Sequence, residues 1–96
     1  MRKYEIMYIL RADLEEAARK EEMEKLEGII TSNGGKVEKT DESMGLRELA
    51  YQIKDQSKGY YVVLEALMDN ACINEFNRLV KIDASVLRHL ITVAHK

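Results

Sequence analysis

The chain is poor in the residues on which many small catalytic, secreted or metal-binding domains depend. Its 96 residues include one cysteine, one phenylalanine, no tryptophan and no proline. A lone Cys72 cannot close an internal disulfide, nor supply the paired thiolates of a small metal carrier. It is expected as a small buried or half-buried apolar residue on a helix. No long apolar run and no leader-like segment occurs, so the chain reads as soluble and cytoplasmic, without a membrane partner. Patterns of the type Gly-x-x-x-x-Gly-Lys-Ser/Thr, His-x-x-x-His and Gly-x-Ser-x-Gly are missing. His89 and His95 stand alone near the end of the chain, where surface or rim positions are expected. These absences argue against an enzyme, a small-molecule substrate, a cofactor or a metal site. Linkers, repeats and low-complexity tracts are also missing, and a single domain over residues 1–96 is expected.

Charge is unevenly placed. The formal net charge is −2. Between Asp13 and Glu27 lie seven acids and three bases, a local balance of −4, which leaves +2 for the remainder. The acidity therefore belongs to one segment, and the rest of the chain is mildly basic. Whole-chain charge is a poor guide to partners in such a case.

What is present is a clear alternation of strand and helix patterns. Tyr4, Ile6, Tyr8 and Leu10 alternate with Lys3, Glu5, Met7 and Ile9, the period of a strand with both faces apolar towards its end. A helix is expected from Asp13, with Glu16 completing an Asp-x-x-Glu cap. Leu14, Ala18, Leu26, Ile29 and Ile30 form its stripe, Ala17 and Met23 its edges, and Asn33-Gly34-Gly35 its end. Strand character resumes at Lys36, with a bend or bulge over 40–45, and continues from Leu46 to Ile53. Residues 54–59 read as a turn. Tyr60 to Met68 is the strongest strand, with Tyr60, Val62, Leu64, Ala66 and Met68 on one face. A second helix starts near Asp69-Asn70 and carries Ile73, Phe76 and Val80. The last strand, 86–94, has Leu87, Ile91 and Val93 in one phase and Val86, Arg88, Leu90 and Thr92 in the other.

The order βαββαβ predicts an α+β, ferredoxin-like fold: a four-stranded antiparallel sheet with two helices on one face. Right-handed crossovers place the first and third strands centrally, in agreement with their apolar faces. The helix-free face would carry Met7, Ile9, Tyr61, Val63, Leu67 and Leu90, an apolar patch suited to a protein partner. Acyl phosphate hydrolysis, one activity this fold can host, needs a glycine loop that Leu10-Arg11-Ala12-Asp13 lacks. Stacking of successive bases on the sheet needs outward aromatics, and only Tyr61 clearly qualifies. Cations collect instead near strand ends: Arg2 and Lys3 beside Tyr4, then Arg47, Lys58 and Arg88. Folded RNA is read largely through its backbone and shape, which such cations suit.

Met-Arg-Lys-Tyr-Glu-Ile at 1–6, Asn-Gly-Gly-Lys-Val at 33–37 and Gly-Leu-Arg-Glu-Leu-Ala-Tyr at 45–51 are joined by Lys-Gly-Tyr-Tyr at 58–61 and Ile-Asp-Ala-Ser-Val-Leu-Arg-His at 82–89. In this order and spacing the chain resembles the bacterial ribosomal protein number six family of the small subunit. The resemblance implies a cytoplasmic, ribosome-associated, non-catalytic protein, monomeric outside the ribosome. It would bind the central domain of small-subunit ribosomal RNA together with ribosomal protein number eighteen and support platform assembly. The implied RNA-binding residues are Arg2, Lys3, Tyr4, Arg47 and Arg88, with Lys58 a weaker member. Gln52 stands where many relatives have proline, Glu48 where a second cation is common, and the chain stops at Lys96. The competing reading is a ferredoxin-like regulatory or ligand-binding module that dimerises through its open sheet.

Overall fold

The computed structural model describes residues 1–94; His95 lies outside the described residues. Its elements are β1 (Arg2–Arg11), α1 (Glu16–Ser32), β2 (Lys36–Ile53), β3 (Gln56–Met68), α2 (Asn70–Lys81) and β4 (Val86–Val93). The strands form one antiparallel sheet in the order β2-β3-β1-β4. Alternate residues of the two central strands, Ile6, Tyr8 and Leu10 with Val62, Leu64, Ala66 and Met68, share one core with both helices. Met23, Leu26 and Ile30 reach it from α1, and Cys72, Phe76 and Val80 from α2. The fold is ferredoxin-like, as the element order predicts. Burial of each large side chain in this layer contributes about 1.5–3 kcal/mol relative to exposure.

The helix ends separate local from tertiary control. Asp69 caps α2, its carboxylate accepting the Cys72 N–H at 2.9 Å. Asn33 and Gly34 close α1 as expected, with Gly34 at φ +86°. The start of α1 differs from the sequence reading. The Asp13 carboxylate accepts from Arg11 Nε and Nη2 at 3.2 and 3.1 Å, so it is committed to a neighbour and caps nothing. The helix begins three residues later, at Glu16, after an N-cap Glu15 that makes no side-chain cap bond. Its inner face differs too, since Met23 is buried and Ala18 exposed. Arg19 takes an inner position instead, with its guanidinium 4.2 Å from the centre of the Tyr60 ring.

Two departures in the sheet reshape the helix-free face. Ile9 pairs with Arg88 but Leu10 with Val86, so Leu87 is an extra residue and β4 bulges there. A bulge reverses the alternation. Val86 joins the core, and Leu87 is buried outside that cluster, the opposite of the phases read from sequence. The second departure is the β2–β3 hairpin. Ile53 pairs with Gln56, leaving only Lys54 and Asp55 as the turn, at φ 50° and 64°. Strand β3 thus starts before the expected Tyr60. The hairpin end curls across β1 to reach β4: Arg88 Nη1 donates to the Tyr51 hydroxyl at 3.0 Å, and Lys54 Nζ to the Val86 carbonyl at 3.0 Å. Two consecutive positive-φ residues suit a hairpin's twist but favour Asn-Gly over Lys-Asp. Asp55→Gly is expected to raise stability by about 1 kcal/mol in urea unfolding, by removing side-chain strain at that turn. An unchanged or lower midpoint would show that no strain resides there.

A polar contact ties α1 to the connection after α2. Asp83 accepts from Lys25 Nζ at 3.2 Å and from the Ser85 N–H at 2.9 Å. Burial, followed by the adjacent Asp83 carboxylate, pushes Glu22 up to about 7. Burial works against the Asp83 charge, but the Glu22 carboxyl, the Ser85 N–H and the Lys25 ammonium together hold Asp83 low. The two carboxyls have opposite linkage. Glu22 binds its proton more tightly when folded, so its contribution is full below its ordinary 4.5 and is lost as pH rises through about 7. The Asp83 contribution is present above its ordinary 3.8 and lost on acidification. Stability should therefore fall between about pH 5 and about pH 8, and Glu22→Gln should flatten that fall. The gain at the alkaline end is on the order of 1 kcal/mol, because partial exposure screens the pair. Parallel urea midpoints for both proteins across this range would show that Glu22 does not titrate there.

Candidate nucleic-acid interface

Strand register sorts the candidate side chains by face. Residues opposite one another on antiparallel strands share a face, so Leu90, Met7, Val63 and Asp41 form one row across the helix-free side. Arg88, Ile9, Tyr61 and Gly45 form the next row, and Arg11, Gly59 and Arg47 the one after that. Three arginines from three strands thus lie towards the hairpin end of this face, Arg47 and Arg88 on its opposite edge strands and Arg11 on a central strand between them. Arg47 is oriented by donating from Nε to the Met44 carbonyl at 2.8 Å. Arg11 is paired to Asp13 at 3.1 Å, and that hydrogen bond holds the Asp13 carboxyl below its usual range. Tyr51, bonded to Arg88, is 60% exposed and adds an aromatic surface beside the cations.

Next to the arginines lies the apolar band expected for a protein partner. Met7, Tyr61, Val63 and Leu67 are half-buried and Leu90 is exposed. Ile9 is not available: it is buried, covered by the curled hairpin. A Cβ on Gly59 would collide with Ile9 Cγ2 and stand 3.5 Å from Leu49 Cδ2, which places both side chains over that glycine. A concavity of about 280 Å³ remains, lined by Met7, Ile9, Arg88, His89 and Leu90.

The other predicted residues are dispersed. Lys58 pairs with Glu48 and belongs to the phase of Tyr60, the helix side, away from Arg47. Lys3 is on the helix-free face but bridges Glu65 at 3.2 Å and Glu38 at 3.5 Å. The Glu65 hydrogen bond in particular raises its pKa, so this cation is already engaged. Arg2 and Tyr4 sit at the opposite end of β1, on the helix side, with Tyr4 packed against the core. His89 packs edge-on against Phe76 at 6.2 Å and bonds Asn77 at 2.8 Å, and its burial lowers its pKa. Sequence reasoning missed Arg11, Lys54 and Tyr51. Continuing the β1 alternation past Leu10 puts Arg11 in phase with Met7 and Ile9, whereas nothing local marks the other two. Among the described residues, no group of His, Cys, Asp and Glu is placed to hold a metal ion, and no helix is long and apolar enough to cross a membrane.

The helix-free face thus carries arginines at its hairpin end beside an apolar band, with both helices on the other side of the sheet. The family model described as ribosomal protein S6 matches residues 3–93. The chain belongs to the ribosomal protein S6 family. Its relatives include small ribosomal subunit protein bS6 of Halalkalibacterium halodurans, 53% identical over 92 residues, covering 96% of each chain. The protein of the same description from Shouchella clausii is 49% identical over 92 residues, again covering 96% of each. Among solved structures, 30S ribosomal protein S6 from Thermotoga maritima superposes with a TM-score of 0.89 at 28% identity, covering 97% of this chain and 87% of that one. The S6 resemblance read from five short segments thus extends over the whole sheet and both helices.

Proposed function

We propose that this S6-family chain is a structural protein of the small ribosomal subunit. It binds the central domain of the ribosomal RNA together with ribosomal protein number eighteen and supports assembly of the platform in the cytoplasm. The observation that carries this reading is the adjacency of Arg11, Arg47 and Arg88 to the band of Met7, Val63 and Leu90. Phosphates would meet the arginines, whose forked guanidinium groups suit bidentate contact. The partner protein would cover the band. RNA and protein then share a border at Arg88, so occupation of either surface organises the other. Arg2, Lys3, Tyr4 and Lys58 are secondary here, because they lie at the other end of the sheet or on its helix side.

A chain of net charge −2 has little long-range attraction for RNA. It should bind the isolated central-domain RNA weakly and bind it at least about tenfold more tightly with its protein partner, measured by filter binding at fixed salt. Equal affinity with and without the partner contradicts the composite surface. Gel filtration tests the competing module: a stable dimer of the chain, indifferent to RNA, would transfer the apolar band to a self-interface.

A further inference from the structure

The helix side of the molecule carries an acidic groove between α1 and β2, away from the arginines. It consists of two adjoining cavities. About 450 Å³ opens beside Gly28 and Val37 and about 300 Å³ beside Met23 and Glu42, and Glu24 and Glu27 line both. Glu24, Glu27 and Glu42 have no ion-pair partner among the described residues. The bases of α1 are engaged elsewhere: Lys20 with Glu16 at 3.8 Å, Lys25 with Asp83 at 3.2 Å and Arg19 with the Tyr60 ring. Lys36, which lines the larger cavity, stands opposite Leu67 and belongs to the helix-free face.

Two further observations point to an occupant. The Tyr8 side chain is fully buried and its hydroxyl has no hydrogen-bond partner. Burial raises its pKa and the Glu27 and Glu42 charges raise it further, so the hydroxyl is aimed at the carboxylates of the groove. Gly28 lies within α1, where an added Cβ would meet nothing within 4 Å. Neither a positive φ nor a close neighbour calls for glycine there, and glycine weakens a helix relative to alanine. It leaves a bare stretch of helix along the groove. Among the described residues, no three acidic groups are placed to hold a metal ion, and RNA is repelled by this charge. Spaced ammonium groups on apolar stems suit both the separated carboxylates and the apolar Met23 and Val37. We infer that the groove docks an extended, lysine-bearing segment of a basic protein, its ammonium groups on Glu24, Glu27 and Glu42 and its backbone against Gly28. An ammonium drawn between Glu27 and Glu42 would supply the donor that the Tyr8 hydroxyl lacks. This partner is distinct from the one on the apolar band, and its docking does not depend on RNA.

Amide NMR of the full chain tests this. The probe is an acetylated and amidated peptide of alternating lysine and alanine, about eight residues long, enough to run beside α1. Spermidine and magnesium chloride at equal ionic strength serve as the free cations. The peptide should saturably shift the amides of Gly28, Thr31, Val37 and Thr40 and bind more tightly than either. Glu27→Gln should weaken it about threefold. Glu21→Gln makes the same charge change on an exposed residue of α1 outside the groove, and should alter affinity by less than about 1.5-fold. Gly28→Ala should raise the melting temperature of the free chain by about 2–6 °C and yet weaken the peptide. Equal losses in the two glutamine variants would reduce the groove to the general acidity of α1. Tighter binding of spermidine or magnesium would assign it to a free cation. Concentration-dependent shifts of the same amides without peptide would assign it to a second copy of the chain. Any of these, an unshifted groove, or full peptide affinity in Gly28→Ala overturns the inference. None of them bears on the arginines of the helix-free face, which sedimentation with small subunits tests separately.

Discussion

Gly59→Ala is expected to destabilise the chain by about 2–3 kcal/mol, far more than one methyl group usually costs, and to loosen the arginine corner with it. Gly59 is buried in the row between Arg11 and Arg47, and a Cβ there would enter the space of Ile9 Cγ2. Ile9 is only 4% exposed and cannot swing outward. Leu49 and the Leu10 carbonyl, at 3.5 and 3.6 Å, close the remaining directions. The hairpin must therefore lift, which separates Tyr51 from Arg88. For a chain of this size the loss corresponds to a melting point lower by about 8–20 °C. Combining it with Ile9→Ala should restore part of the stability, a non-additivity that a double-mutant cycle reads directly. Strict additivity would place the effect in the glycine backbone and not in the packing against Ile9.

Replacing Arg11, Arg47 and Arg88 together by alanine should leave the melting point nearly unchanged and remove most binding to the joint surface of RNA and partner protein. The Arg47 and Arg88 contacts and the Arg11–Asp13 pair are at the surface, where such changes contribute within about 0.5 kcal/mol. Against phosphate, each guanidinium contributes about 1 kcal/mol or more, so the triple variant should lose about 100-fold in affinity. Its dependence of log affinity on log salt should flatten by about two to three units, one for each lost phosphate contact. Loss of affinity with an unchanged salt slope would mean that these arginines act on the protein partner and not on RNA.

Much of this architecture is legible in the sequence because it is written locally. The alternation of Ile6, Tyr8 and Leu10 identifies the core face of β1, and Asp69 announces the start of α2. Asn33-Gly34-Gly35 likewise announces the end of α1. The misreadings occur where a side chain has a competing partner or where another strand decides. Asp13 looks like a cap until Arg11 occupies its carboxylate. Leu87 is an extra residue only with respect to Ile9 and Leu10, and no inspection of β4 alone reveals it. The curl that buries Ile9 depends on a turn made by Lys54-Asp55, which lacks the glycine that ordinarily marks such hairpins. Charge was harder still. Arg47 and Arg88 are 41 residues apart in sequence and come to the same end of one sheet face only through strand order, with Arg11 supplied by a third strand between them.

The association on which function would turn is that of the helix-free sheet face, with its arginines at the hairpin end, with the small ribosomal subunit. Gradient sedimentation of a bacterial extract containing the tagged chain, with the subunits dissociated, tests it most directly. The wild-type chain should travel with the small subunit and be absent from the large one, while the triple arginine variant remains near the top of the gradient. A wild-type chain that stays at the top or follows the large subunit, or a variant that sediments like the wild type, contradicts it.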